Sequence, residues 1–334
     1  MHSIKIYIIA VFFVLVLFGC SNSEKIKLFS LTHEVIDLNP HYYGKGYQFD
    51  ISKDTLILLN GYSIDTLFHV YNLKTNKLIG KFGNVGDAPF QIGSPGSFYW
   101  KKESDKVLIA DNASLNLKEF ELQDALEISY YKPKIINHPR NLPIVFFQPL
   151  NDTSFVTRQL DQTDDLLLTF NQDEVLDTIG KWYDNSDPLI IGDKFQQYYY
   201  INNKHPNKNK FVASYFSYDI IQLVDGEKGG SIIVQGPDKI SYKDNKDEFL
   251  AYRWPETTDN YIYASYIGKF ASSDLNTSQY AKEIHVISWE GENIARLKLD
   301  VPIRFSHVDE EKGFIYALAD DENGNFVKFK LPEL

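Results

Sequence analysis

The side chains that could do chemistry are thinly spread along this sequence of 334 residues. No two histidines of its body have the spacing of a His-x-His or zincin metal site. Those histidines are His33, His41, His69, His138, His205, His285 and His307. There is no Gly-x-Ser-x-Gly motif, and Cys20 is the only cysteine. The sequence therefore predicts no catalytic residue, no metal ligand and no cofactor.

One acidic stretch, Asp320–Asn325, has the composition of a calcium-binding loop. When Gly324 is aligned with the glycine of such a loop, Ala319 falls where the first carboxylate ligand belongs. We therefore predict a hairpin turn there. A calcium site elsewhere stays open as an alternative, with Asp111 and Asn112 as the nearest candidates.

Arginine is scarce, and three of its positions fall in or beside apolar runs typical of β-strands: Arg158, Arg253 and Arg304. If the fold brings these runs to a common centre, a guanidinium there would bind a carboxylate, a phosphate or a uronic acid. The alternative is that each arginine pairs with a neighbouring Asp or Glu. We predict these three residues as ligand contacts.

The charge balance limits the partners. Asp and Glu number 45 against 34 Lys and Arg, which gives a formal net charge of -11. Nucleic-acid binding needs clustered positive charge, so the sequence predicts no nucleic-acid partner. The one basic stretch, Lys204–Lys210, is typical of a solvated loop.

The N-terminus has the three parts of an export signal. A charged start, Met1–Lys5, precedes the apolar run Ile6–Phe18, and Gly19 stands before Cys20. Thirteen apolar residues rise roughly 20 Å as a helix, which is short of the ~30 Å core of a bilayer. A short transmembrane anchor remains the alternative.

The position of Cys20 is typical of a bacterial lipobox, in which the cysteine is acylated after cleavage. We predict a signal peptide over 1–19, a lipidated tether over 20–29, and attachment to the membrane by acyl chains such as palmitate. The expected location is the cell envelope of a Gram-negative bacterium, at its outer membrane.

The rest of the sequence repeats with a period near fifty residues. In each repeat a turn residue precedes a strongly β-forming run, at intervals of 51, 47, 57, 51 and 53 residues. The six turn residues are Asp54, Asp105, Asp152, Asn209, Asn260 and Gly313. This period, with four short strands per repeat, predicts an all-β, six-bladed β-propeller over residues 30–334.

The sixth repeat runs out after three strands, and the unclaimed segment His33–Leu38 offers the missing outer strand. Closing the ring in this way leaves few exposed strand edges. Two turns are predicted between third and fourth strands, at Lys74–Asn76 and Glu290–Glu292. A large β-sandwich or a pair of β domains is the alternative, but neither explains the spacing.

Residues 82–95, with the run Phe-Gly-Asn-Val-Gly-Asp-Ala-Pro-Phe, resemble the glycine-rich linker of NHL-type propeller repeats. Lys106–Asn112, followed by Asn116 and Phe120, is similar to the strand after that linker. Together with the lipobox and six repeats, the chain resembles the TolB-like six-bladed propeller lipoproteins of Bacteroidetes. This resemblance implies a fold and a location, and no activity.

The expected function is binding without catalysis: a lipid-anchored propeller that holds a protein, a small molecule or a glycan at the cell envelope. Two alternatives stay open. One is a calcium-dependent propeller hydrolase or lactonase, and the other is an extracytoplasmic component of a sensing or nutrient-uptake system.

Overall fold

The computed structural model describes most of the chain after the signal sequence. The described residues are 26–40, 48–61, 63–139, 144, 146–158, 165–182, 200–239, 249–270, 280–321 and 324–334. The signal peptide and Cys20 lie outside them. The described part is all-β, apart from one short helix, α1 (Leu122–Glu127). Within this part, no helix is long and apolar enough to span a membrane.

The described residues contain 24 strands, which form six blades of four strands each. One long strand serves two blades, and one N-terminal strand is additional to the six sets of four. Two N-terminal strands are β1 (Lys27–Leu31) and β2 (His33–Val35). Blade 1 is β3 (Gln48–Ser52), β4 (Thr55–Leu59), β5 (Thr66–Asn72) and β6 (Lys77–Asn84). Blade 2 is β7 (Pro95–Lys101), β8 (Lys106–Asp111), β9 (Asn116–Glu121) and β10 (Lys134–Asn137), with α1 between its last two strands.

Blade 3 is β11 (Phe147–Pro149), β12 (Phe155–Arg158), β13 (Asp165–Phe170) and β14 (Val175–Lys181). Blade 4 is β15 (Tyr200–Lys204), β16 (Lys210–Tyr215), β17 (Ile220–Asp225) and β18 (Ser231–Gln235). The remaining strands are β19 (Phe249–Thr257), β20 (Tyr261–Phe270), β21 (Ala281–Ser288), β22 (Asn293–Asp309), β23 (Phe314–Ala319) and β24 (Phe326–Lys330).

Blades 5 and 6 share the long strand β22. Its first half pairs with β21 as the fourth strand of blade 5, and its second half pairs with β23 as the first strand of blade 6. The strand continues because Val301 and Pro302 keep extended backbone rather than forming a turn.

The repeated β-forming runs are the second strands of the blades. In β4, β8 and β16 every residue after the first is buried, because these strands lie between neighbouring blades and pack on both faces. The outer strand β14 is largely exposed, and only two of the eight residues of the outer strand β6 are buried. This difference explains why the second strand of each blade gives the strongest sequence signal.

Two predicted turns between third and fourth strands are present. Asn76, at the end of the first, has a φ of 55°, and Gly291, in the second, has a φ of 88°. Both values lie in the left-handed region, which asparagine tolerates and glycine adopts freely.

The core consists of six apolar clusters, one between each pair of neighbouring blades. The cluster between blades 6 and 1 contains Phe49, whose ring contacts Phe305 and Phe326 at centroid distances of 5.2 and 5.1 Å. Blade 6 therefore packs on blade 1 as the other blades pack on one another. The six-bladed ring predicted from the repeat is confirmed.

The N-terminus closes this ring. Strand β2 pairs antiparallel with β24, with His33 opposite Phe329 and Val35 opposite Val327, so it supplies the fourth strand of blade 6. The closure predicted from the sequence is thus confirmed. Strand β1 adds a parallel fifth strand to blade 5, along the first half of β22. Its first residue, Lys27, already lies within the region predicted as tether.

Truncation of the N-terminus measures what this closure contributes. A chain that starts at Ile26 keeps both closing strands, and a chain that starts at His33 keeps only β2. A chain that starts at Asp37 keeps neither strand. We expect the free energy of unfolding to fall in that order. Each step removes a buried aliphatic side chain, Leu31 and then Ile36, and such a loss costs about 2–5 kcal/mol. Urea unfolding measures the difference, and equal stability of all three chains would contradict the closure.

Candidate binding cavity

A cavity of about 310 Å³ lies where the first strands of all six blades converge. It is lined by residues of β3, β7, β11, β15, β19 and the second half of β22. Lys102, Glu103 and the turn His205–Asn207 complete the wall. These last residues follow first strands, so the cavity lies at the end of the channel where first strands turn into second strands.

In an antiparallel blade, the turns after the first and third strands lie on the same side. We call this side of the ring the turn face. The cavity therefore belongs to the turn face.

Six lining residues, one from each blade, form what we call the polar ring. They are Asp50, Lys102, Gln148, Asn203, Glu256 and His307. Six more lining residues, each two positions earlier in its blade, form the inner layer. They are Gln48, Trp100, Phe146, Ile201, Trp254 and Phe305. Because side chains two residues apart in a strand point to the same side, the two sets form successive layers along the channel.

Side chains of four of the six polar-ring residues contact one another in a continuous run along the channel wall. Nδ1 of His307 lies 3.0 Å from Oε1 of Glu256 and 3.4 Å from Oδ1 of Asp50. The same Asp50 oxygen lies 3.0 Å from Nζ of Lys102. We call this run of blades 5, 6, 1 and 2 the ionic arc. Its carboxylates already have basic partners within the protein.

The two remaining residues of the polar ring, Gln148 and Asn203, are neutral, and we call them the amide arc. The amide of Gln148 donates a hydrogen bond to Oδ1 of Asn203. The Asn203 amide in turn donates to the carbonyl of Pro255 at 2.8 Å. These bonds tie the first strands of blades 3, 4 and 5 together.

The inner layer is mostly aromatic. Trp254 contacts Phe305 and Phe146 at ring-centroid distances of 5.0 and 5.1 Å, with steep interplanar angles of 64° and 84°. Edge-to-face packing of this kind is favourable beyond simple burial. The three rings come from blades 5, 6 and 3, so they span the channel and give the cavity an aromatic floor.

In addition to Nε2 of His205, three polar side chains of the wall have buried atoms without a hydrogen-bond partner among the described residues. Asn202 is 5% exposed, and neither atom of its amide group is paired. The Ser97 hydroxyl and Oε1 of Gln148 are also unpaired. All three residues line the cavity, in blades 4, 2 and 3. Such groups cost about 1–3 kcal/mol each when buried and unpaired, so they are exceptions that need an explanation.

Burial also changes the acidity of the wall. It raises the pKa of Tyr99 to about 12, and the nearby Asp50 and Glu103 carboxylates add to the effect. Burial lowers the pKa of Lys204. It also lowers the pKa of His205, with a further contribution from Lys208. The His205 ring packs on Trp289 at 4.8 Å. Each of these shifts favours the neutral form of its side chain.

The three arginines singled out in the sequence lie elsewhere, and no arginine is among the described residues that line the cavity. Arg158, buried between blades 3 and 4, donates to the carbonyl of Tyr200 at 2.8 Å. The guanidinium of Arg253 lies 3.7 Å from the ring centre of Phe216. The structure does not bring the three together at one site, and their role as ligand contacts stays a prediction.

The third arginine is held by an acid. Nε of Arg304 donates to Oδ1 of Asp320 at 2.9 Å, and a second guanidinium nitrogen lies 2.5 Å from the same oxygen. The predicted hairpin containing Asp320 connects β23 to β24, which pair antiparallel. Among the residues that the structure describes, no group of three or more His, Cys, Asp or Glu side chains is placed to hold a metal ion.

Asp111, the nearest calcium candidate, has a structural role. Its Oδ2 lies 2.6 Å from Nζ of Lys118, in a pair whose two side chains are each 1% exposed. Oδ2 also accepts from the Ser114 hydroxyl, and Oδ1 accepts from the backbone of Ser94 and Ala113. Burial alone would raise the pKa of this carboxyl, but the bonds from Lys118, Ser114 and Ser94 bring it below its ordinary value.

Sequence reasoning missed the polar ring and the unpaired Asn202. A signal was present, because each ring residue lies three to six positions before the turn residue of its repeat. Asp50 precedes Asp54, and Glu256 precedes Asn260. The residue types at these positions differ from blade to blade, however. The polar ring can therefore be recognised only from the distance of each residue to the turn residue, and not from a shared residue type.

Comparison with known proteins agrees with this architecture. The family model described as TolB-like 6-blade propeller-like matches residues 24–311. The chain belongs to this family. Among curated proteins, none matches the sequence.

Solved structures similar to this TolB-like propeller share its fold at low sequence identity. A candidate exported protein from Bacteroides fragilis has a TM-score of 0.59 at 11% identity, over 92% of this chain and 100% of the other. A DUF4221 family member from Bacteroides vulgatus has a TM-score of 0.57 at 15% identity, over 90% and 95% of the two chains. A calcium-binding regucalcin from Agrobacterium tumefaciens reaches 0.52 at 12% identity, over 92% and 98%.

The buried pair in blade 2 gives a test of its structural role. Lys118→Met leaves Asp111 buried without its main partner, so it should lower the free energy of unfolding by about 3–5 kcal/mol. The double variant Asp111→Asn/Lys118→Met removes both charges and should recover part of that loss. Thermal or urea unfolding measures both. A Lys118→Met variant as stable as the natural protein would contradict the account.

Proposed function

We propose that this protein is a lipid-anchored binding protein of the cell envelope that holds a small ligand in its central cavity without converting it. The observation that carries the proposal is Asn202, a buried amide with no partner among the described residues, on the wall of a 310 Å³ cavity. Buried polar groups are normally hydrogen-bonded. Both amide atoms are closed off from water in the structure, so a ligand in the cavity would supply the missing bonds once the Asn202 side chain turns toward it.

The frame around the cavity suits binding. Each wall residue stands on the first strand of a blade or directly beside one of its ends, and each blade is packed on both sides by an apolar cluster. Side chains held by such a frame lose little freedom when a ligand binds, which favours affinity. The volume lies at the lower end of the roughly 300–1,000 Å³ typical of ligand pockets, so the ligand is small.

The charges of the ionic arc support binding rather than catalysis. His307 lies between Glu256 and Asp50, and Asp50 also contacts Lys102. A carboxylate that already faces a basic group within the protein is a poor nucleophile or metal ligand. The arrangement fixes blades 5, 6, 1 and 2 relative to one another, and this structural role accounts for it.

A calcium titration separates binding from the metal-dependent hydrolase that remains the alternative. Calcium takes six to eight oxygen ligands, whereas Asp50 and Glu256 are engaged by Lys102 and His307. We therefore expect no saturable heat when calcium is titrated into the purified, metal-free protein in a calorimeter. Saturable heat at micromolar calcium, lost in Glu256→Gln and retained in a Glu292→Gln control on an exposed turn, would favour the hydrolase.

The N-terminal strand indicates how the anchor and the cavity are related. Lys27 in β1 pairs with Ala295, close to the turn Trp289–Glu292 that precedes β22. That turn follows a third strand, so β1 starts at the turn face. Cys20 lies six residues before Ile26, a reach of roughly 20 Å at full extension. With Cys20 acylated, the cavity would therefore open toward the membrane that holds the anchor.

Anchoring by Cys20 can be tested on the full-length protein in a Gram-negative host. We expect the natural protein to incorporate labelled palmitate and to enter the detergent phase of a Triton X-114 separation. Cys20→Ser should abolish both, because it is the only cysteine. Ser21→Ala serves as the control and should behave like the natural protein. If the Cys20→Ser variant entered the detergent phase as the natural protein does, the result would support a transmembrane anchor instead.

A further inference from the structure

We propose that the ligand of the cavity is a neutral saccharide unit, recognised by Ser97, Gln148 and Asn202 and by the aromatic floor. This inference rests on the proposed binding function and adds the chemical class of the ligand. Three features of the wall lead to it: the type of its unpaired groups, the pairing of its charges and the nature of its floor.

The unpaired groups are those that hydroxyls satisfy best. Asn202 offers both a donor and an acceptor, Ser97 offers a hydroxyl, and Oε1 of Gln148 is an acceptor. A sugar hydroxyl donates one hydrogen bond and accepts others, so adjacent hydroxyls can pair with such a mixed set. The three residues stand in consecutive blades, 4, 2 and 3, along one side of the cavity.

Apart from the exposed Glu103, the charged side chains of the wall face partners within the protein, which favours a ligand without net charge. Asp50 faces Lys102 at 3.0 Å, and Glu256 faces His307 at 3.0 Å. Lys204 is directed to the carbonyl of His205 at 3.4 Å. A uronate or a phosphate would need a free guanidinium or ammonium group, and no arginine is among the described lining residues.

The floor of the cavity suits a ring with an apolar face. Trp254 is half-buried, lines the cavity and is held by Phe146 and Phe305. Aromatic faces carry partial negative charge, and the C–H groups of a pyranose ring pack against such faces as weak donors. Hydroxyl-binding groups in three neighbouring blades, together with an aromatic floor, thus match a single sugar ring, and the volume leaves little room for more.

The test combines a defined panel with the contents of the natural protein. The full-length protein, in a detergent without a sugar headgroup, is titrated with glucose, galactose, N-acetylglucosamine and cellobiose, and with galacturonate and glucosamine as charged probes. Isothermal calorimetry and the fluorescence of Trp254, identified with Trp254→Phe, report binding. Small molecules released on heating the protein purified from its natural envelope are identified by mass spectrometry.

We expect at least one neutral sugar to bind, and both charged probes to bind at least tenfold more weakly. Asn202→Leu and, independently, the small change Ser97→Ala should each weaken binding at least tenfold. Asn202→Leu should not lower the melting temperature, since it replaces an unpaired buried amide by an apolar group. Asn116→Leu is the matched control, because its amide oxygen is also unpaired among the described residues but lies outside the cavity lining.

Each other outcome counts against a definite part of the account. Preferential binding or release of a charged or non-saccharide molecule, weakened by Asn202→Leu, would overturn the saccharide inference and leave the binding function standing. Sugar binding that Asn202→Leu and Ser97→Ala leave unchanged would overturn the assignment of the site. If no probe binds and no small molecule is released, both the inference and the proposed function fail.

Discussion

The rest of the structure depends on the pairing of β2 with β24, which joins the two ends of the chain. Without it, blade 6 would expose the edge of β24, and the apolar cluster between blades 6 and 1 would lose Ile36 and Leu38, which belong to the closing segment. With it, His33 stands opposite Phe329, and the apolar cluster that contains Phe49 and Phe305 completes the series of six. Exposed strand edges invite unwanted pairing, and a closed ring largely removes them. Only in a closed ring do all six first strands converge on one channel.

Closure also explains why the cavity has layers. Equivalent positions in the six first strands lie at equivalent heights along the channel, so residues two apart form successive rings. Trp254 and Glu256 belong to neighbouring layers in this way, as do Phe305 and His307. The blades share backbone geometry but differ in side chains. The six blades therefore have the same fold, but the cavity between them has an ionic side and a neutral side.

The fold could be predicted from the sequence because the sequence features that mark it recur in every blade. Turn residues at a period near fifty, and a spare strand at His33, gave both the blade number and the closure. The site was harder to predict, because a shift of one residue changes the direction of a side chain. Arg253 and Arg304 precede Trp254 and Phe305, which line the cavity, yet their own guanidinium groups contact Phe216 and Asp320. Unpaired atoms such as those of Asn202 depend on neighbours in three dimensions and leave no pattern in the sequence.

The central claim is that Ser97, Gln148 and Asn202 are held open for a ligand by the closed ring. A high-resolution crystal structure of the protein purified from its natural envelope tests this most directly. The account predicts well-defined, non-protein electron density in the cavity, within hydrogen-bond distance of the Asn202 amide and against Trp254. A cavity in which Asn202 is paired with other protein groups, or which side chains fill, would contradict the account.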